Sequence, residues 1–176
     1  MGLATGGEQF HRHWDPSDWT TSDDRVRGGS SISHLTVASD AQSACFHGHL
    51  DTSTLGGAGF ASQHSAGVEH WDLSAYDGLL LTIATSGPTT RDDAKRYLVT
   101  LKDTIPGRRE DGREQSGISW EAEFTNAPST AIADEHGSRV FLGWDAFKPT
   151  YRGRPKPDAP PLDRSDIKRV GLMMRR

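Results

Sequence analysis

Apolar and polar positions alternate with a period of two along two stretches of this chain, and no long stretch follows a helical period. Across 95–103, Tyr97, Val99 and Leu101 share one face, while Arg96, Leu98, Thr100 and Lys102 share the other. Across 115–124, Ile118, Trp120, Ala122 and Phe124 oppose Ser119, Glu121 and Glu123. The two stretches predict a pair of half-buried strands joined by a charged loop, PGRREDGRE at 106–114. Further strands are predicted at about 31–38, 45–52, 60–63, 78–85, 139–143 and 167–174, with a capped single turn at 72–77. Short strands separated by Gly and Pro turns predict an all-β fold, an antiparallel β-sandwich with long loops.

The ends of the chain read differently. Residues 1–13 are Gly-rich and polar and predict a flexible N-terminal arm ahead of one domain at 14–176. Trp14 and Trp19 flank the turn sequence Asp15-Pro16-Ser17-Asp18, so this part of the chain is expected to pack on the domain. The prolines from Pro149 to Pro161 fix φ and remove donors, which predicts a long irregular clamp before the last strand.

Composition narrows the classes of function. A chain of 176 residues is long enough for one sizeable core. A net charge of −4 and a pI of about 6.0 leave no general nucleic-acid footprint. The single cysteine, Cys45, cannot form an internal disulfide. No apolar run approaches the length of a membrane span. The first residues show neither an apolar signal core nor an Arg-rich amphipathic leader, and Gly6 stands where a myristoylation motif needs Ser or Thr. The expected setting is cytoplasmic.

The polar face of the paired strands is the candidate site. Arg96, Thr100 and Lys102 lie beside Ser119, Glu121 and Glu123 if the strands pair. Opposed unlike charges on a sheet contribute about 0.2–1 kcal/mol each, and for any one pair that packing role is the simpler reading. Two carboxylates, an Arg and a Lys converging on one face also suit binding of a polar ligand, or proton transfer. Glu121, Glu123, Asp103 and Lys102 are the candidate acid–base groups, and Arg96, Ser119 and Arg152 the candidate ligand contacts. Arg152-Gly153-Arg154 is a second candidate, since a Gly between two Arg lets the backbone approach a partner. Its structural alternative is that Arg152 ties the proline-rich loop to a buried carboxylate, Asp24 or Asp103.

Other chemistries find little support. His47 and His49 would point to one face of a strand, but no third and fourth ligand follows at a recognisable spacing, so no metal site is expected. Cys45 at the start of a strand reads as a small apolar residue rather than a nucleophile. There is no nucleophile elbow or phosphate-cradling loop. Gly56-Gly57-Ala58-Gly59 lacks the strand–turn–helix setting of a dinucleotide fingerprint. No cofactor is expected.

Several segments together resemble the CIA30 family, the domain of complex I intermediate-associated protein 30. They include Asp24-Arg25-Val26-Arg27-Gly28-Gly29-Ser30-Ser31, Gly59-Phe60-Ala61-Ser62, Asp72-Leu73-Ser74-Ala75-Tyr76-Asp77-Gly78-Leu79 and Lys95-Arg96-Tyr97. Leu101-Lys102-Asp103, Ser119-Trp120-Glu121, Arg152-Gly153-Arg154, Pro161-Leu162-Asp163 and Val170-Gly171-Leu172-Met173-Met174 follow in order. The resemblance implies a jelly roll of the galactose-binding type and an assembly-factor role. Related folds hold sugars on such a face with aromatic help, which adds Tyr97 and Trp120 to the candidate ligand contacts, although the alternation turns both toward the core. Two departures stand out. The usual Gly-Asp-Gly-Lys turn is replaced by the longer SGPTTRDDAK at 86–95, and the last family strand is missing after Arg176, so either the sandwich is short by one edge strand or another segment, such as the arm with Trp14 and Trp19, fills the place. Two functions are therefore carried forward: a binding domain for a small polar ligand or a protein partner, and a cofactor-free isomerase, cyclase or lyase.

Overall fold

A computed structural model describes residues 2–5, 8–9, 13–51, 53–54, 57, 59–83, 95–112, 114–124, 132–134 and 137–176. The charged insertion at 86–94 and most of the Gly-rich link at 56–58 lie outside them. In chain order the strands are β1 (Gly2–Thr5), β2 (Glu8–Gln9), β3 (Trp19–Asp23), β4 (Ile32–Val37), β5 (Ala44–His49), β6 (Phe60–Ser65) and β7 (Gly78–Ile83). They continue as β8 (Arg96–Lys102), β9 (Ile118–Phe124), β10 (Ile132–Asp134), β11 (Gly137–Gly143), β12 (Lys148–Tyr151), β13 (Arg154–Pro155) and β14 (Arg169–Arg175). Among the described residues there is no α-helix, only 3-10 turns such as Pro16–Asp18, Asp24–Arg27 and Trp144–Ala146.

All pairings are antiparallel. One sheet runs β13-β12-β9-β8-β14-β6-β3 and the other β10-β11-β7-β1-β2, with β4 and β5 forming a separate hairpin. The chain is an antiparallel β-sandwich, a jelly roll. Alternation explains the packing: Val99 and Leu101 of β8, Trp120, Ala122 and Phe124 of β9, and Val170 and Leu172 of β14 point inward. There they meet Leu79, Leu81 and Ile83 of β7 and Leu142 of β11. Leu35, Val37 and Phe46 of the β4–β5 hairpin pack against the same core. Fully burying one such side chain contributes about 1.5–3 kcal/mol, so the core residues of β8, β9 and β14 hold the larger sheet in place.

The aromatic segment at the N-terminal side packs as its sequence suggests. Trp14 and Trp19 are buried and stack with centroids 5.4 Å apart. Trp19 opens β3, which pairs with β6 and forms one edge of the larger sheet. The proline-rich clamp is more regular than expected. Pro155 lies within β13, the strand at the opposite edge, where a missing N–H is tolerated, and Pro149 lies within β12, the next strand inward. Between them Arg152 (φ 53°) and Gly153 (φ 74°) form a two-residue loop with both φ positive, the pattern of a type I′ hairpin, with Tyr151 paired to Arg154.

A cation-rich cleft on the larger sheet

The polar faces of β8, β9 and β14 look away from the core and form the floor of a cleft of about 850 Å³. Cross-strand register assembles that floor. Thr100 pairs with Glu121 and with Gly171, which in turn faces His64 on β6. Arg169 pairs with Lys102, and Ser119 with Thr150 of β12. A Cβ on Gly171 would stand 2.6 Å from Thr100 Oγ1, so a glycine is needed at the centre of the floor. The walls come from the 104–117 loop, through Glu114 and Ser116, and from the β12–β13 turn, through Arg152 and Arg154.

The cleft carries eight Arg or Lys side chains against two carboxylates, Glu114 and Glu121, in a chain whose net charge is −4. Both carboxylates are engaged by cations. Glu121 is buried; Thr150 Oγ1 donates to its Oε1 at 2.7 Å and Arg175 Nη1 to its Oε2 at 2.9 Å. Glu114 accepts from Arg169 Nη1 through both oxygens, at 3.0 and 2.8 Å, and from Lys102 Nζ at 3.2 Å. Partial burial opposes the Glu114 charge most strongly, yet the Arg169 hydrogen bond and the Lys102 charge together hold its carboxyl below the ordinary value. Burial also holds the His64 imidazole on the cleft floor below its ordinary value, against an opposing hydrogen bond to the Ser65 carbonyl. The shift favours the neutral imidazole, and the fixed positive charges of the cleft are those of Arg and Lys.

The structure divides the residues singled out in the sequence. Arg96, Lys102, Ser119, Glu121 and Arg152 line the cleft together. Glu123 lies at its margin, exposed, with Arg96 Nη1 3.6 Å from its carboxylate. Asp103 lies outside it and accepts from the Asp163 N–H at 3.0 Å. Tyr97 and Trp120 are on the opposite face: Tyr97 meets Phe46 and Phe124 edge-on or tilted, and Trp120 is buried in the core. The four groups expected to share acid–base work are thus not gathered at one point.

One expected tie is replaced by others. Arg152 is exposed; its Nε donates to Ser116 Oγ at 3.1 Å and its guanidinium lies 5.4 Å from the Tyr151 ring centroid. Asp24, offered as its partner, accepts instead from Ser31 N (2.9 Å), Ser31 Oγ (2.5 Å) and Phe60 N (3.3 Å). Gly153, at φ 74°, serves the turn geometry. His47 and His49 are exposed on β5, and among the described residues no group of three or more His, Cys, Asp or Glu is placed to hold a metal.

Arg169, Arg175, Glu114 and Thr150 escaped the sequence reading. A signal existed for two of them: Arg169, Gly171, Met173 and Arg175 alternate with Val170, Leu172 and Met174. The apolar half of that pattern dominates and makes β14 look buried on both faces.

An antiparallel all-β sandwich with a cation-rich cleft on its larger sheet defines a jelly-roll domain. The family model of Complex I intermediate-associated protein 30 (CIA30) matches residues 8–176, and the chain belongs to that family. An uncharacterized protein of Schizosaccharomyces pombe, C9E9.15, is 41% identical over 167 residues, which cover 93% of this chain and 71% of the relative. No helix among the described residues is long and apolar enough to cross a membrane.

Proposed function

We propose that this chain is a binding domain of the assembly-factor type, which takes an anionic group of a small polar ligand or of a protein partner into the cleft on its larger sheet. The family name, with its reference to a complex I intermediate, suggests the assembly role and protein partners. The observation that carries the binding reading is the concentration of eight cationic side chains around two already paired carboxylates, within a chain of net negative charge. Such a cleft focuses positive potential and draws anions to one face. In this reading the domain works in the cytoplasm, where its single exposed cysteine, Cys45, stays reduced. Mitochondrial import of the tagged full chain in cells would count against that setting.

The test is a chemical-shift map of the full chain titrated with mono- and dicarboxylates and inorganic phosphate, repeated on Arg96→Gln/Arg154→Gln. Shifts clustered on β8, β9 and β14 and reduced in the double variant are expected. Shifts confined to other surfaces, or unaltered by the variant, would remove the cleft as the binding site.

A further inference from the structure

Within the cleft, the corner between β8, β14 and the 104–117 loop is distinct. Arg169 is 8% exposed, and its guanidinium meets the Glu114 carboxylate through one nitrogen, Nη1, shared between both oxygens. Its Nε is buried and has no hydrogen-bond partner among the described residues. A well-matched anion engages a guanidinium through two parallel N–H bonds, so Glu114 satisfies Arg169 incompletely. Lys102 Nζ closes on the same carboxylate, which sets two cations against one negative charge. Glu114 itself is one-third exposed and arrives on the 104–117 loop. The contacts of that loop include the Arg108–Glu114 bridge, Gln115 N to the Gly107 carbonyl (3.0 Å), Gly112 N to the Arg109 carbonyl (2.9 Å), Arg108 Nη1 to the Gly112 carbonyl (3.0 Å) and Arg152 Nε to Ser116 Oγ (3.1 Å).

We propose that this corner, formed by Arg169 and Lys102, is a phosphomonoester site, and that the Glu114 carboxylate is the internal group a bound phosphate displaces. The proposal rests on the reading of the cleft as an anion site and names the anion. A phosphomonoester carries about −1.5 to −2 charge at neutral pH and three acceptor oxygens. It therefore balances both cations, where a carboxylate balances one, and its third oxygen supplies the acceptor that the Arg169 fork lacks. The displaced Glu114 is released to solvent, so binding is reported by the 104–117 loop.

The full chain is titrated with phenyl phosphate and with benzoate, which presents a carboxylate on the same ring, by calorimetry and by amide shifts. Phenyl phosphate is expected to bind at least about tenfold more tightly than benzoate, and to move the amides of 107–115. Glu114→Gln, which removes the competitor, is expected to tighten phenyl phosphate binding about three- to tenfold. Arg169→Lys, which removes the fork, is expected to weaken it by about tenfold or more. Glu114→Asp serves as a folded control with a shortened carboxylate, and its affinity should lie between those of the parent and Glu114→Gln. A phosphoserine peptide compared with phenyl phosphate separates the sources: tighter peptide binding assigns the group to a protein partner, equal or weaker binding to a small metabolite, and both sustain the site. Equal affinity for benzoate, or unchanged or weaker phosphate binding in Glu114→Gln, overturns the phosphate assignment and leaves the anion cleft standing. No binding of either anion at the cleft, in the parent or in Glu114→Gln, overturns both.

Discussion

Asp24 and Glu121 are both buried carboxylates, 1% and 7% exposed, and they are satisfied in opposite ways. Asp24 takes neutral donors: the N–H and hydroxyl of Ser31 and the N–H of Phe60, which tie the start of β4 to the start of β6. Asp51 beside it does the same with Ser30, Ser53 and Thr54. Glu121 takes the Arg175 guanidinium beside the Thr150 hydroxyl, and Glu114 takes guanidinium and ammonium groups, in an open cleft. Neutral backbone donors have no other acceptor once buried, so the first pair of carboxylates is committed to the fold. Arg and Lys at a solvent-reached surface can exchange one anion for another, so the second pair marks where a ligand can compete.

Acid should expose the contrast most strongly through Asp51 and Glu114, one member of each pair, whose carboxyls are both held below their ordinary values. Hydrogen bonds from the Thr54 and Ser53 side chains hold the Asp51 carboxyl far below its ordinary value, further than Glu114 is held. Depressed carboxyl values contribute stability above the unfolded value, and that stability is lost as pH falls through the folded one. The melting temperature should therefore be level from pH 7 to about 5 and fall below about 4. Carboxyl titration by NMR should show Glu114 protonating before Asp51. A melting temperature that rises on acidification, or the reverse order of protonation, would break the distinction between the two pairs.

Asp24→Ala should follow in size. It strands three donors, and each hydrogen bond to a charged acceptor is worth about 1.5–3 kcal/mol, so a loss of about 3 kcal/mol or more is expected in chemical denaturation. Anion binding by whatever folded protein remains should be unchanged.

Glu121→Gln should cost less stability and change function instead. Its partner Arg175 is partly exposed, so a loss of about 1–2 kcal/mol is expected. The freed Arg175 should change anion affinity on the cleft, read in the same titrations. Glu123→Gln, at the margin, should alter stability by less than about 1 kcal/mol. If Glu121→Gln matches Glu123→Gln in both readouts, the buried pair is ordinary surface charge.

The smallest effects should come from the β12–β13 turn. Gly153→Ala places a side chain at φ 74° with open space around it, so only backbone strain of about 1 kcal/mol is expected. Arg152→Ala should shift the melting temperature by less than that, since its side chain is exposed. A large destabilisation by Arg152→Ala would reinstate it as the anchor of the proline-rich segment.

What the sequence determined by itself is the part governed by local periodicity. Period-two alternation along 95–103 and 115–124 correctly placed Val99, Leu101, Trp120, Ala122 and Phe124 in the core and Arg96, Lys102, Ser119 and Glu121 on the opposite face, because successive side chains in a strand must point to opposite sides. The two-residue turn that holds Arg152 and Gly153 is not legible in the sequence, because positive φ at both positions becomes visible only in the closed hairpin. What tertiary structure alone decided is who meets whom across that polar face. Arg169 reaches Glu114 over 55 residues and Arg175 reaches Glu121 over 54. These pairings depend on strand order, on register and on the path of the 104–117 loop. A single strand's pattern carries no trace of them, since the same alternation is compatible with any neighbour and a slip of two residues would pair every charge differently while keeping the same core.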